Sequence, residues 1–214
     1  MIRSLKLVSL TLTLMCVAPL AFAQENARDI LLKSQQKIDN AKAFYGEYTL
    51  QIARPPDPKS PKKTEYVTFG KLVYRRQRER SRTEFRVGDN KLVTYDDYQS
   101  KTRLTVYKKK YLKSTFEDST PMDFGVPPDL SKGAYTSLGK RTFQKRKVFW
   151  IERVEDNKKD YYFIDCITFL PLQITAGSPP IKMRFTTLSQ NLNAIFDESL
   201  LIYTPPPRRR RDQL

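Results

Sequence analysis

The chain has 214 residues, 39 Lys and Arg against 23 Asp and Glu, a formal charge of +16, and no histidine. Without imidazole there is no Ser-His or Cys-His nucleophile, no histidine general base and no ordinary zinc site, so any chemistry falls to carboxylate, lysine or tyrosine. A chain this basic favours anionic surfaces.

Residues 1–23 read as an export signal. Arg3 and Lys6 form its positive end, the apolar run from Leu7 to Leu20 is short for a bilayer span, and Ala21-Phe22-Ala23 is a small-x-small processing site. A retained membrane anchor is the alternative, and Cys16 does not read as a lipidation site. Export removes nucleic acid as a partner and leaves membrane lipid, acidic polysaccharide or other exported proteins. Cleavage after Ala23 takes Arg3 and Lys6 and lowers the charge from +16 to +14. The remaining length suits a single domain over residues 24–204. Cys166 is then the only cysteine, so no intramolecular disulfide forms, and its neighbours Ile164 and Ile167 make a buried structural thiol the expected role and a reactive one the alternative.

Residues 26–43 carry Ala27, Ile30, Leu31, Ile38 and Ala41 at the spacing of one helical face, with Asn26 as N-cap and Asp29 at the third helical position. From Phe44 the period becomes two, which predicts a strand through Ile52. Arg54 to Lys63, with Pro55, Pro56, Pro58 and Pro61, reads as a solvated loop. Strands are predicted at 64–75, 79–87, 91–96 and 102–109, with turn signals at Gly88-Asp89-Asn90 and Asp96-Asp97. Thr115 to Gly139 interrupts the rhythm with Pro and Gly, although Thr120-Pro121 could cap a short helix. Further strands are predicted at 147–154, 160–167, 171–176, 181–189 and 195–203, and Pro205 to Leu214 reads as a flexible Pro/Arg-rich tail. This pattern predicts an α+β fold, a strongly curved antiparallel sheet whose concave side is covered by the N-terminal amphipathic helix.

The order of these segments resembles the LolA-like periplasmic lipoprotein carriers and lipoprotein-sorting proteins, a superfamily that includes MucB/RseB-type regulators. The resemblance rests on Phe44 to Leu50, Gly70 to Arg76, Asp89 to Asp96, Phe163-Ile164-Asp165 with Thr168 to Leu172, and Asn193 through Tyr203 to Pro206. It departs at Gln77, where a proline is common, and in lacking a tryptophan near Val93 to Tyr95. The resemblance implies an incomplete β-barrel with a helical lid, a monomeric periplasmic carrier without cofactor, metal or catalytic residue. Its cargo would be an acylated lipoprotein or related lipid, received from an inner-membrane donor complex and passed to an outer-membrane acceptor. The alternative is an envelope-stress or lipid-sensing interaction module of MucB/RseB type. Arg76 falls where such carriers have an arginine that holds the lid closed.

For an apolar cavity the alternating large side chains Phe44, Tyr48, Leu50, Phe69, Tyr74, Phe85, Tyr95, Trp150, Tyr162 and Phe185 are candidates, with ordinary core packing as the other reading. Arg78, Arg80 and Arg82, with Arg76, would share one strand face as a row for phosphate or carboxylate, or form a solvated, salt-bridged edge. Arg208, Arg209, Arg210 and Arg211 would meet an anionic membrane transiently, or serve as a solubilising tail. The carboxylate pairs Asp96 and Asp97, and Glu155 and Asp156, are enzyme candidates, but both sit in turn signals.

Overall fold

The helix begins where an asparagine caps it. In a computed structural model, which describes residues 26–54, 64–108, 110–116, 129–178 and 181–204, Asn26 Oδ1 accepts the Arg28 amide at 3.0 Å and α1 spans Ala27–Asp39. Asp29 in its first turn and Lys37 in its last both complement the helix dipole. Ala27, Ile30, Leu31, Ser34 and Ile38 form its buried face. It ends at Asp39 rather than at residue 43, because Asn40 caps it and Ala43 is already strand.

The strands are β1 (Ala43–Ala53), β2 (Tyr66–Gln77), β3 (Arg80–Val87), β4 (Asn90–Asp97), β5 (Thr102–Tyr107), β6 (Lys110–Thr115), β7 (Ala134–Phe143), β8 (Arg146–Glu155), β9 (Lys158–Asp165), β10 (Pro171–Ser178) and β11 (Ile181–Asn191). Among the described residues they make one antiparallel sheet in the order β6-β5-β4-β3-β2-β1-β11-β10-β9-β8-β7, open at its two ends. Paired strands are consecutive in the chain everywhere except at the centre, where β1 meets β11, and the consecutive strands β6 and β7 form the two opposite edges. Tight turns at Gln144-Lys145 and Asp156-Asn157 place both residues at positive φ, the geometry that matches strand twist. Register shifts at Leu50/Gln51, Pro171/Gln173 and Ser137/Lys140 bend the sheet.

Several expectations are corrected. Strands β6 and β7, at the two edges, are not predicted by the sequence pattern, because neither buries an apolar face: every residue of β6 is exposed. Residues 195–203 do not form a strand; they hold a 3-10 turn, Glu198–Leu201, capped by Asp197, and Ile195 is 98% exposed. Asp96 and Asp97 end β4, and the reversal comes after them, at residues 98–101. The arginines do not share a strand face. Arg78 occupies the turn between β2 and β3 at positive φ, so Arg76 faces Ser81 while Arg80 and Arg82 point to the opposite side. Cys166 is half-buried, and Ile167 beside it is exposed. The leader, residues 55–63, the Thr120-Pro121 helix and the Arg208–Arg211 tail lie outside the described residues.

Candidate functional site

Alternation along β1 puts Phe44, Gly46, Tyr48 and Leu50 on one face, and the strand register carries that face across the sheet. Phe44 stands opposite Arg76, Gly46 opposite Tyr74, and Tyr48 opposite Leu72. The ladder continues from Leu72 through Phe85 and Leu92 to Tyr107. In the other direction it passes from Leu50 through Phe185, Ile174 and Tyr162 to Ile151. This ladder is apolar across both halves of the sheet, and the rows beside it on the β3 to β5 side carry Thr83, Thr94 and Thr105, then Ser81, Asp96 and Arg103.

Helix α1 packs over the part of this face that runs from β2 to the β7 edge. Ile38 joins Phe44, Tyr48, Leu72, Tyr74 and Leu170, while Ala27, Ile30 and Leu31 join Phe149, Ile151, Tyr162 and Ile164. The interior under the helix is filled by these side chains. Gly46 makes room for the Tyr48 ring: a Cβ there would stand 2.3 Å from the Tyr48 hydroxyl oxygen. Burial, with Asp160 nearby, raises the Tyr162 hydroxyl well above the ordinary tyrosine value, so it stays protonated.

Polar groups punctuate the contact. Arg76, 7% exposed, donates from Nη2 to the Ile38 carbonyl, which also accepts the Ala41 amide at 3.2 Å. A guanidinium here meets the carbonyl end of α1, the negative end of its dipole. Ser34 Oγ, fully buried on the helix's inner face, has no hydrogen-bond partner among the described residues.

Beyond the helix the same face opens. Phe69 stacks on Phe85 at 5.9 Å between ring centres. Phe69 is 45%, Tyr107 42% and Leu112 68% exposed, and Leu112 shares the face through its pairing with Thr105 and, beyond it, Thr94. Eight of the ten candidates therefore converge: Phe44, Tyr48, Leu50, Phe69, Tyr74, Phe85, Tyr162 and Phe185. Tyr95 and Trp150 do not. Tyr95 faces Arg82 and Leu104 on the outer side, 5.7 Å from the Tyr203 ring. Trp150 faces Phe163, with the Arg141 guanidinium 3.4 Å above its ring. The sequence reading missed Leu72, Phe149, Ile151 and Ile164, although each follows the alternation of its strand.

The outer face is charged. Glu84, 4% exposed, lies within 2.8 to 3.2 Å of Arg75, Arg82, Arg86 and Lys91. The segment after β11 lies across this side: Arg82 Nη1 donates to the Leu200 carbonyl at 3.1 Å and Leu201 is buried. Arg80 reaches Asp97 at 3.4 Å, and the exposed Arg78 reaches Glu198 at 3.8 Å. The acidic neighbours form no catalytic dyad. Asp96 is held by Arg103 on the helix side, Asp97 points outward, and adjacent strand residues face apart. Hollows on the described surface include a groove of about 770 Å³ beside α1, lined by Lys33, Lys37, Phe169 and Leu192, one of about 270 Å³ between Tyr95, Leu104 and Tyr203, and one of about 190 Å³ beside Arg78 and Glu198.

One open antiparallel sheet with a helix seated on its apolar face defines the structural class. No protein-family model matches the sequence, and no curated protein does. Among solved structures, an uncharacterized conserved protein of Thermus thermophilus superposes with a TM-score of 0.55 at 12% identity, over 85% of this chain and 95% of its own. Lipoprotein LppX of Mycobacterium tuberculosis gives 0.49 at 6% identity, over 80% and 98%. A LolA superfamily protein of Nitrosomonas europaea gives 0.41 at 8% identity, over 83% and 98%. The Thermus likeness establishes a shared fold across nearly the whole of both chains.

Proposed function

We propose that the protein is a periplasmic carrier that binds the acyl chains of a lipoprotein, or of a related lipid, against the helix-side face of its sheet. Helix α1 is the lid on the concave side, residues 24–204 are the carrier domain, and donor and acceptor complexes at the two membranes load and unload it. The observation that supports this reading is the continuity of the apolar face, from the core beneath α1 to the exposed Phe69, Tyr107 and Leu112. Hiding an acyl chain from water is worth about 0.8 kcal/mol per methylene, so a chain crossing an aqueous space needs such a surface.

A carrier must also release. The face under α1 is packed rather than hollow, so a chain entering from the open end displaces the helix, and Ser34 and Arg76 leave polar groups where an entirely apolar interface would bind more tightly. In this reading Arg76 latches the lid through the Ile38 carbonyl. No group undergoes covalent chemistry.

The test is native mass spectrometry with lipid extraction on the protein isolated from its own periplasm without detergent. A discrete lipoprotein or lipid adduct, lost in Phe85→Glu, is the expected outcome; a bare mass that takes up no added acyl ligand would sink the proposal. Arg76→Leu should fold and should change cargo retention, and release identical to the parent's would remove the latch.

A further inference from the structure

The outer face of strands β2 to β4 breaks a rule of sheet stability. Like charges placed directly opposite each other across a strand pair are destabilising, yet the register sets Lys71 opposite Arg86, Arg86 opposite Lys91, and Arg75 opposite Arg82. Glu84 at the centre compensates part of this, and Glu47, one strand beyond Val73, lies on the same face. Five cations thus meet two carboxylates, and the remaining pair on this face, Arg80 with Asp97, is neutral overall. Arg75 and Arg82 are occupied, by Glu84 and the Tyr45 ring in one case and by Glu84 and the Leu200 carbonyl in the other. Arg86 and Lys91 also touch Glu84, at 3.2 and 2.8 Å, but from the solvent side, with their side chains 59% and 42% exposed, and Lys71 is exposed as well.

From this repulsive row we infer that the outer face of β2 to β4 docks on an anionic membrane surface, with Lys71, Arg86 and Lys91 as the headgroup contacts. Three neighbouring strands about 4.8 Å apart carry these cations side by side. None of the three lines the surface hollows. A flat row cannot enclose a small anion, but it matches a plane of phosphates, where each basic side chain adds about a factor of five in affinity. The inference stands on the outer face alone, opposite the proposed cargo face, and does not depend on the cargo reading.

The test is co-sedimentation of the processed protein with phosphatidylcholine vesicles, with and without phosphatidylglycerol. Binding should require the anionic lipid and weaken about a hundredfold in the triple variant Lys71→Gln, Arg86→Gln, Lys91→Gln. A charge-matched control, Lys145→Gln, Lys147→Gln, Lys158→Gln, should keep most of the binding. The triple variant removes opposed like charges but also takes two of the four cations from Glu84, so its melting temperature should fall modestly, and binding is compared at a temperature where the variant is folded. Equal losses in the two triples would reduce the effect to net charge and overturn the assignment. So would a lower melting temperature with vesicle binding unchanged, which would make the row structural, and so would binding to an acidic protein surface without any to vesicles.

Discussion

A carboxyl ringed by four cations gives up its proton early. Burial alone would raise Glu84, but the Lys91, Arg82 and Arg86 charges outweigh it and hold the group at about 2, against an ordinary 4.5. A folded-state value below the unfolded one stabilises the fold above about pH 4.5, and that contribution is lost as the pH falls toward 2. Its size is on the order of 3 kcal/mol. Urea unfolding of the parent and of Glu84→Gln should therefore differ by about that amount near pH 5 and converge only as the pH drops toward 2. Curves that stay parallel would mean that the surrounding cations are solvated independently of Glu84.

At the scale of the element, α1 depends on its cap and on one buried stripe. Asn26→Ala should cost about 1 kcal/mol, and hydrogen exchange should show the loss in the amides of α1 while those of β1 and β11 keep their protection. Uniform loss across the sheet would mean that helix and sheet unfold as one unit. The helix was legible because Asn26, Asp29 and the Ile30, Leu31, Ile38 spacing are local signals, and β1 was legible because Phe44 to Leu50 alternate. The edges were not. Strands β6 and β7 are defined by hydrogen bonds to β5 and β8 and bury almost nothing, so Lys110 to Thr115 carries no hydrophobic period. The apolar site was legible as a set of residue types, but its facing was not, because Tyr95 and Trp150 alternate as regularly as Tyr48 and need the register to assign them outward. The arginine row failed for a related reason: a hairpin turn at Arg78 and a continuous strand look alike in a stretch without Gly, Pro or Asn.

For the molecule as a whole, charge works against compactness. A formal +16 makes the folded state repel itself, and salt bridges such as Arg103 with Asp96 and Arg146 with Asp165 recover part of that locally. Raising sodium chloride from low ionic strength to about 0.15 M, where the screening length is about 8 Å, should raise the melting temperature. A fall would mean that screening the ion pairs matters more than screening the excess charge. The sheet order also sets when the fold can be completed. Because β1 pairs with β11, the centre of the sheet waits for the last strand, and a nascent chain must emerge as far as Asn191 before its two halves can join. Until then β1, paired only with β2, presents an open edge at what becomes the centre of the sheet, so a chain threaded end first through a narrow channel cannot close its sheet until almost its entire length has passed.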